Sequence, residues 1–257
     1  MTTERDTETH SDRDAADRRT EEPVDAIDPD AGARGAAYAL LASAFAHPDE
    51  QFHGALRAGD VAAQFEALFD RTPLDVDAPM PTTDDDYETL CARYNDLFVV
   101  GHAEYEDRTD GSLNATGPPV PLYESGYRPD VSWNDVNLDL ARAYDYYDLT
   151  VDTDEREHHD HLRLELEFAG YLARRAAVAE GSEASEASQS SSERSADGGA
   201  DAARLDFLDR HLRHVAEGVV EKVGEEPGTG AYGEFAALLD AFTAADRAEL
   251  VDRLEGG

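Results

Sequence analysis

Side chains able to do chemistry gather in two stretches of this 257-residue chain. One is Glu155-Arg156-Glu157-His158-His159-Asp160-His161, with Glu165 a turn further on. The other is Gly117-Pro118-Pro119-Val120-Pro121-Leu122-Tyr123-Glu124-Ser125-Gly126-Tyr127, a proline-stiffened loop carrying a Tyr-Glu-Ser triplet. Carboxylates beside imidazoles suggest a metal first. Two Glu-x-x-His pairs occur, Glu50 with His53 and Glu155 with His158, and di-iron bundles use two such pairs plus two further glutamates. Both pairs, however, directly follow Pro48-Asp49 and Thr153-Asp154, where a helix dipole favours acids anyway. Bundle ligands sit near mid-helix instead. A histidine/carboxylate-ligated helical metalloprotein is therefore the alternative reading, and no metal ligands are assigned.

Catalytic kits are incomplete. Ser125 adjoins Glu124 but has no histidine beside it in sequence. No Gly-x-x-x-x-Gly-Lys-Ser/Thr loop is present, and the single lysine is Lys222. The expectation is a binding protein, not an enzyme, working without a cofactor.

The elements that must carry these stretches are helical. Residues 1–30 are acidic and poor in large apolar side chains, which predicts a disordered tail. The serine-rich stretch 181–200 predicts a flexible insertion inside one domain spanning 31–257. Between them the apolar period is helical. Asp30 is positioned to cap a helix with Ala37, Leu40, Leu41, Ala44 and Phe45 on one face. Val61, Phe65, Leu68 and Phe69 mark a short helix, and Thr83 to Asp86 resembles a capping box before Tyr87, Leu90, Cys91, Tyr94, Leu97 and Phe98. Asn134 or Asp135 opens the next helix. The stretch from Thr153 to Ala179 reads as one long helix, because Leu162, Leu166, Ala169 and Ala173 form a row. Leu205, Leu208, Leu212, Val215 and Val219 continue the pattern, and Thr243 with Asp246 caps a last helix. The fold class is all-α, a single-domain bundle of about eight to nine helices.

The net charge is −36 and the pI is near 4.3, with arginine almost the sole base. Such acidity fits a cytoplasm of very high salt, where a Debye length of roughly 3 Å at 1 M screens self-repulsion. It also disfavours nucleic-acid binding, since no basic stripe exists to neutralise phosphates. Cys91 is the sole cysteine and is expected as a small buried hydrophobe. No apolar run is long enough to span a membrane. Arg18-Arg19 is not followed by an apolar segment, so a cytoplasmic protein is expected.

Five blocks in register resemble the TorD/DmsD/NarJ family of cytoplasmic molybdoenzyme maturation chaperones, in a haloarchaeal-type member. They are Tyr38-Ala39-Leu40-Leu41-Ala42-Ser43-Ala44-Phe45, Tyr94-Asn95-Asp96-Leu97-Phe98, the Tyr-Glu-Ser loop, Asp160-His161 with Glu165-Leu166-Glu167-Phe168, and Phe207-Leu208-Asp209-Arg210-His211-Leu212. The resemblance spans about Ala36 to Phe242. It implies a TorD-like chaperone, monomer or homodimer. Such a chaperone binds the twin-arginine leader, the apo catalytic subunit, or both, of a molybdopterin-dependent reductase of the dimethyl sulfoxide, trimethylamine oxide or nitrate type. Cofactor insertion would precede export. A leader that is cationic and then apolar needs carboxylates beside an apolar groove, and guanidinium–carboxylate pairs form short charge-assisted forks. The implied peptide-binding residues are Glu124, Asp160 and Glu165 as carboxylates, Tyr123, Tyr127 and His161 as amphipathic walls, and Ser125.

Overall fold

A computed structural model describes residues 28–101, 103–104, 114–115, 117–151, 158–183 and 194–256. The expected tail, apart from its last three residues, lies outside them, as do Glu155 and Glu157. Among the described residues there are nine α-helices: α1 (Pro29–Ala44), α2 (Glu50–Ala58), α3 (Asp60–Phe69), α4 (Tyr87–Phe98), α5 (Trp133–Tyr146), α6 (Leu162–Glu183), α7 (Arg194–Phe207), α8 (Arg213–Glu225) and α9 (Ala231–Gly256). A two-residue antiparallel ladder pairs β1 (Ala103–Glu104) with β2 (Asn114–Ala115), and otherwise the architecture is the expected all-α bundle.

Local chemistry explains the helix starts. Asp28, not Asp30, caps α1 by accepting from the amides of Asp30 and Ala31, and Pro29 takes the first helical position. Asp86 caps α4 and Ser132 caps α5 through side-chain bonds to Thr89 N and Asp135 N. Gly59, at φ 80°, turns the corner between α2 and α3 in a conformation other residues avoid.

Three expectations are revised. The long helix begins at Leu162, not Thr153. Before it, the backbone of Asp160 to Leu162 pairs with the Tyr-Glu-Ser loop: Glu124 N donates to Asp160 O (2.9 Å) and Leu162 N to Leu122 O (2.8 Å). Those groups therefore serve a bridge between segments instead of a helical turn. Both ends of the serine-rich stretch are helical, since α6 runs to Glu183 and α7 starts at Arg194; residues 184–193 lie outside the described ones. Finally, Thr243 and Asp246 cap nothing, because α9 continues through them for 26 residues. The Thr243 hydroxyl donates to Leu239 O in its own helix. Asp246 is fully buried, taking a hydrogen bond from Arg34 Nη1 (2.6 Å) and another from the Tyr38 hydroxyl (2.6 Å). Arg34 also meets Asp30 and Glu249, and Arg204 Nη2 lies 3.6 Å from Asp246. This buried cluster ties α1 and α7 to α9. A rigid five-donor fork can serve three carboxylates at once, which a lysine cannot do with the same geometry.

The core is formed chiefly by α1, α6, α8 and α9, with Tyr38, Leu41, Phe45, Leu166, Leu172, Val219, Phe235 and Phe242 among its buried side chains. α1 and α6 approach closely at Gly35 and Gly170. A Cβ on Gly170 would lie 3.1 Å from both Gly35 O and Tyr38 Cβ, and Arg174 Nη1 donates to Gly35 O across the seam. Cys91 is only half-buried, with Sγ 3.9 Å from Pro48 O. No described helix is long and apolar enough to cross a membrane.

Candidate functional site

The loop and the start of α6 lie side by side. Tyr123 and His161 form an isolated antiparallel bridge, and their rings meet edge to face at 5.0 Å. Residues Glu124–Tyr127 form a 3-10 turn whose Ser125 amide donates to Asp160 Oδ2 (3.2 Å). The loop is anchored upstream by Val120 N donating to Leu97 O. Downstream, the Tyr127 hydroxyl donates to Pro121 O (2.7 Å), and the Tyr127 ring occupies the space over Gly218 on α8. A short turn thus becomes fixed by contacts to α4, α6 and α8.

The three carboxylates assigned from the sequence converge here, but each is buried. Glu124 accepts from Arg128 Nη1 (2.5 Å) through one oxygen, and its other lies 2.9 Å from His211 Nδ1. Asp160 offers one oxygen to Ser125, and its Oδ1 has no hydrogen-bond partner among the described residues. Neither oxygen of Glu165 has one. Burial, reinforced by the nearby Glu124 and Asp160 charges, pushes the Glu165 carboxyl well above its usual range. Burial also lowers His161 to about 4, leaving its ring neutral, and its Nδ1 accepts from Arg163 N (3.1 Å). Tyr144, whose hydroxyl donates to His159 O, is likewise raised by burial and then by the Glu165 charge. The assigned set therefore forms a buried polar bed beneath the loop.

Two surfaces border that bed. The first is aromatic. Exposed His158 packs edge to face on Trp133 (5.1 Å) and lies 6.1 Å from Tyr123, while Ser125 and Tyr127 are half-buried nearby. The second is a half-open groove of about 320 Å³ between α5, α6 and α7. Ala143, Phe168, Leu172, Ala203 and Phe207 give it an apolar floor, and Tyr146, 80% exposed, stands at its edge. Its rim carries Asp139, Asp206, Arg142 and Arg210.

His211 joins groove to bed. Its ring is buried with Nδ1 toward Glu124 and Nε2 3.3 Å from Asp139 Oδ2. His211 and Arg210 sit on a π turn, Leu208–Leu212, that interrupts the run from α7 into α8. Such turns often accompany functional sites because the extra residue re-aims side chains. Sequence alone does not point to Asp139, Arg210, Trp133 or the bridging role of His211. The Phe207 to Leu212 block is one of the five motif blocks, but nothing local shows that it faces Glu124, 87 positions away.

For the metal alternative, no group of three or more His, Cys, Asp or Glu among the described residues is arranged to hold an ion. His53 Nε2 instead lies 2.9 Å from Asp85 O.

Comparison with known proteins agrees with this architecture. The family model described as nitrate reductase delta subunit matches residues 57–217. The selenate reductase assembly chaperone protein of Thauera selenatis is 31% identical over 224 residues, covering 86% of this chain and 91% of that one. The chlorate reductase assembly chaperone protein of Ideonella dechloratans is 35% identical over 127 residues, covering 49% and 52%. By the extent of these matches, and by a helical bundle that brings its motif blocks together, the chain belongs to the nitrate reductase delta subunit family.

Proposed function

We propose that this protein is a system-specific assembly chaperone. It binds the twin-arginine leader, or the apo catalytic subunit that carries it, of a molybdopterin-dependent reductase in the cytoplasm, and assists cofactor insertion before export. The names of the two relatives support the general role. The observation that carries the reading is the α5–α6–α7 groove, with its apolar floor and Asp139 and Asp206 on its rim. An apolar segment preceded by arginines matches that combination, burying its apolar side chains while its guanidinium groups meet carboxylates.

In this reading Tyr123, Ser125 and Tyr127, with Trp133 and His158, form the adjoining aromatic surface. Glu124, Asp160, His161 and Glu165 support it from beneath. The work is binding rather than catalysis, so the test is a binding one. A fluorescently labelled synthetic leader with consecutive arginines and an apolar run is titrated in molar KCl. High salt suppresses non-specific attraction to the −36 chain. Ala203→Trp, which fills the groove from its half-buried wall, is expected to lower affinity at least tenfold while helical content stays unchanged. Undiminished affinity in that variant would remove the groove from the reading.

A further inference from the structure

We infer that Arg210 is a built-in placeholder for an arginine of the bound segment. Its guanidinium occupies the place on the groove rim that the incoming one takes. This rests on the leader-binding reading above and assigns a position within it.

Arg210 lies on the π turn and reaches back across the groove mouth. Its Nη2 bonds Asp139 Oδ2 on α5, and its Nη1 lies 3.4 Å from Asp206 Oδ2 on α7. One guanidinium thus bridges carboxylates from two of the three groove helices. Asp139 Oδ2 also lies 3.3 Å from His211 Nε2, a second contact that does not involve Arg210. The Arg210 carbonyl is held separately by Arg128 Nη1 (3.0 Å), so the side chain is free to swing while its backbone stays in place.

Exposure decides how easily the exchange occurs. The Arg210 side chain is 54% exposed, Asp139 and Asp206 are also accessible, and exposed pairs of this kind contribute little net stability. An incoming arginine replaces one guanidinium with another at nearly constant charge. The gain in binding then comes from apolar surface laid on Phe168, Leu172 and Phe207. Until that segment arrives, the resident arginine keeps two rim carboxylates from facing each other unpaired. A cation without an apolar sequel gains nothing by displacing it, so the device selects for arginine followed by an apolar run. In a strongly acidic chain at high salt, where long-range attraction is screened, discrimination has to come from contacts of this kind.

The experiment uses the full chain in molar KCl, with the labelled Arg-Arg leader and a copy in which both arginines are glutamine. Arg210→Gln is expected to tighten binding of the Arg-Arg leader roughly two- to fivefold, the competition an exposed pair offers, and to leave the Gln-Gln copy within twofold of wild type. Asp139→Asn is expected to weaken the Arg-Arg leader and to erase its advantage over the copy. Equal or weaker binding of the Arg-Arg leader by Arg210→Gln overturns the placeholder while leaving the leader reading intact. Failure of wild-type protein to bind either peptide overturns the leader reading itself, and the placeholder with it.

Discussion

Gly218→Ala sets helix propensity against packing at the base of the Tyr-Glu-Ser loop. Within α8, alanine is favoured over glycine by about 1 kcal/mol, so propensity alone makes the change stabilising. A Cβ there, however, would sit 2.1 Å from Tyr127 Cδ1, 2.4 Å from Cγ and 2.7 Å from Cε1. These atoms are the body of the ring, not a flexible tip, and ordinary carbon contacts lie near 3.6 Å, so the ring has to retreat by about 1.5 Å. Overpacking of this kind costs about 1–3 kcal/mol, and retreat also endangers the Tyr127–Pro121 hydrogen bond, worth about 1 kcal/mol. Packing wins, and the net expectation is destabilisation by about 1–2 kcal/mol. The assay is urea unfolding in molar KCl, followed by far-UV circular dichroism, for a double-mutant cycle with Tyr127→Ala. With the ring removed, the same Gly218→Ala change should reverse sign and stabilise. A stabilising Gly218→Ala in the wild-type background would refute the claim that Tyr127 is seated against that helix face.

Two pH dependences follow from the buried bed. The Glu165 carboxyl is raised in the fold, so its contribution is complete below the ordinary carboxylate range and is lost as pH rises from that range through its raised value. Glu165→Gln should therefore be more stable than wild type at pH 7 to 8 and match it near pH 4; parallel stability curves would show that Glu165 ionises normally. His161 runs the other way. Lowered from 6.5 to about 4, its contribution is intact above pH 6.5 and disappears as pH falls through that interval, for a total of about 3 kcal/mol. His161→Gln should remove that part of the acid slope, and nuclear magnetic resonance titration of the ring near 6.5 would count against its burial.

The resemblance to the chaperone family implies one site for Tyr123 and His161, since both lie in its motif blocks, and the two residues do meet. Helical periodicity likewise located α1, α3 and α4, whose apolar stripes face the core as expected. Burial of the carboxylates was not legible. For Glu124 it goes with Arg128 and His211 as partners, and the latter is brought over Glu124 by a π turn without a local sequence signature. The Thr243–Asp246 spacing imitates a helix cap perfectly well. Its use inside α9 depends on Arg34, 212 residues away, which needs that carboxylate more than a helix end does. Gly170 has no role that the helical pattern reveals, whereas its missing side chain is what lets α1 come near. In each case a local pattern had two outcomes, and a distant partner selected between them.

Where Gly35 meets Gly170, main chain presses on main chain, with the Arg174 guanidinium latched over the joint. Close approach of two backbones leaves those rods little room to shift past one another at that point. On the far side of the α5–α6–α7 groove the rod beginning at Trp133 carries exposed Leu138 and Tyr146 and is tied to the π turn by the ion pair at Asp139.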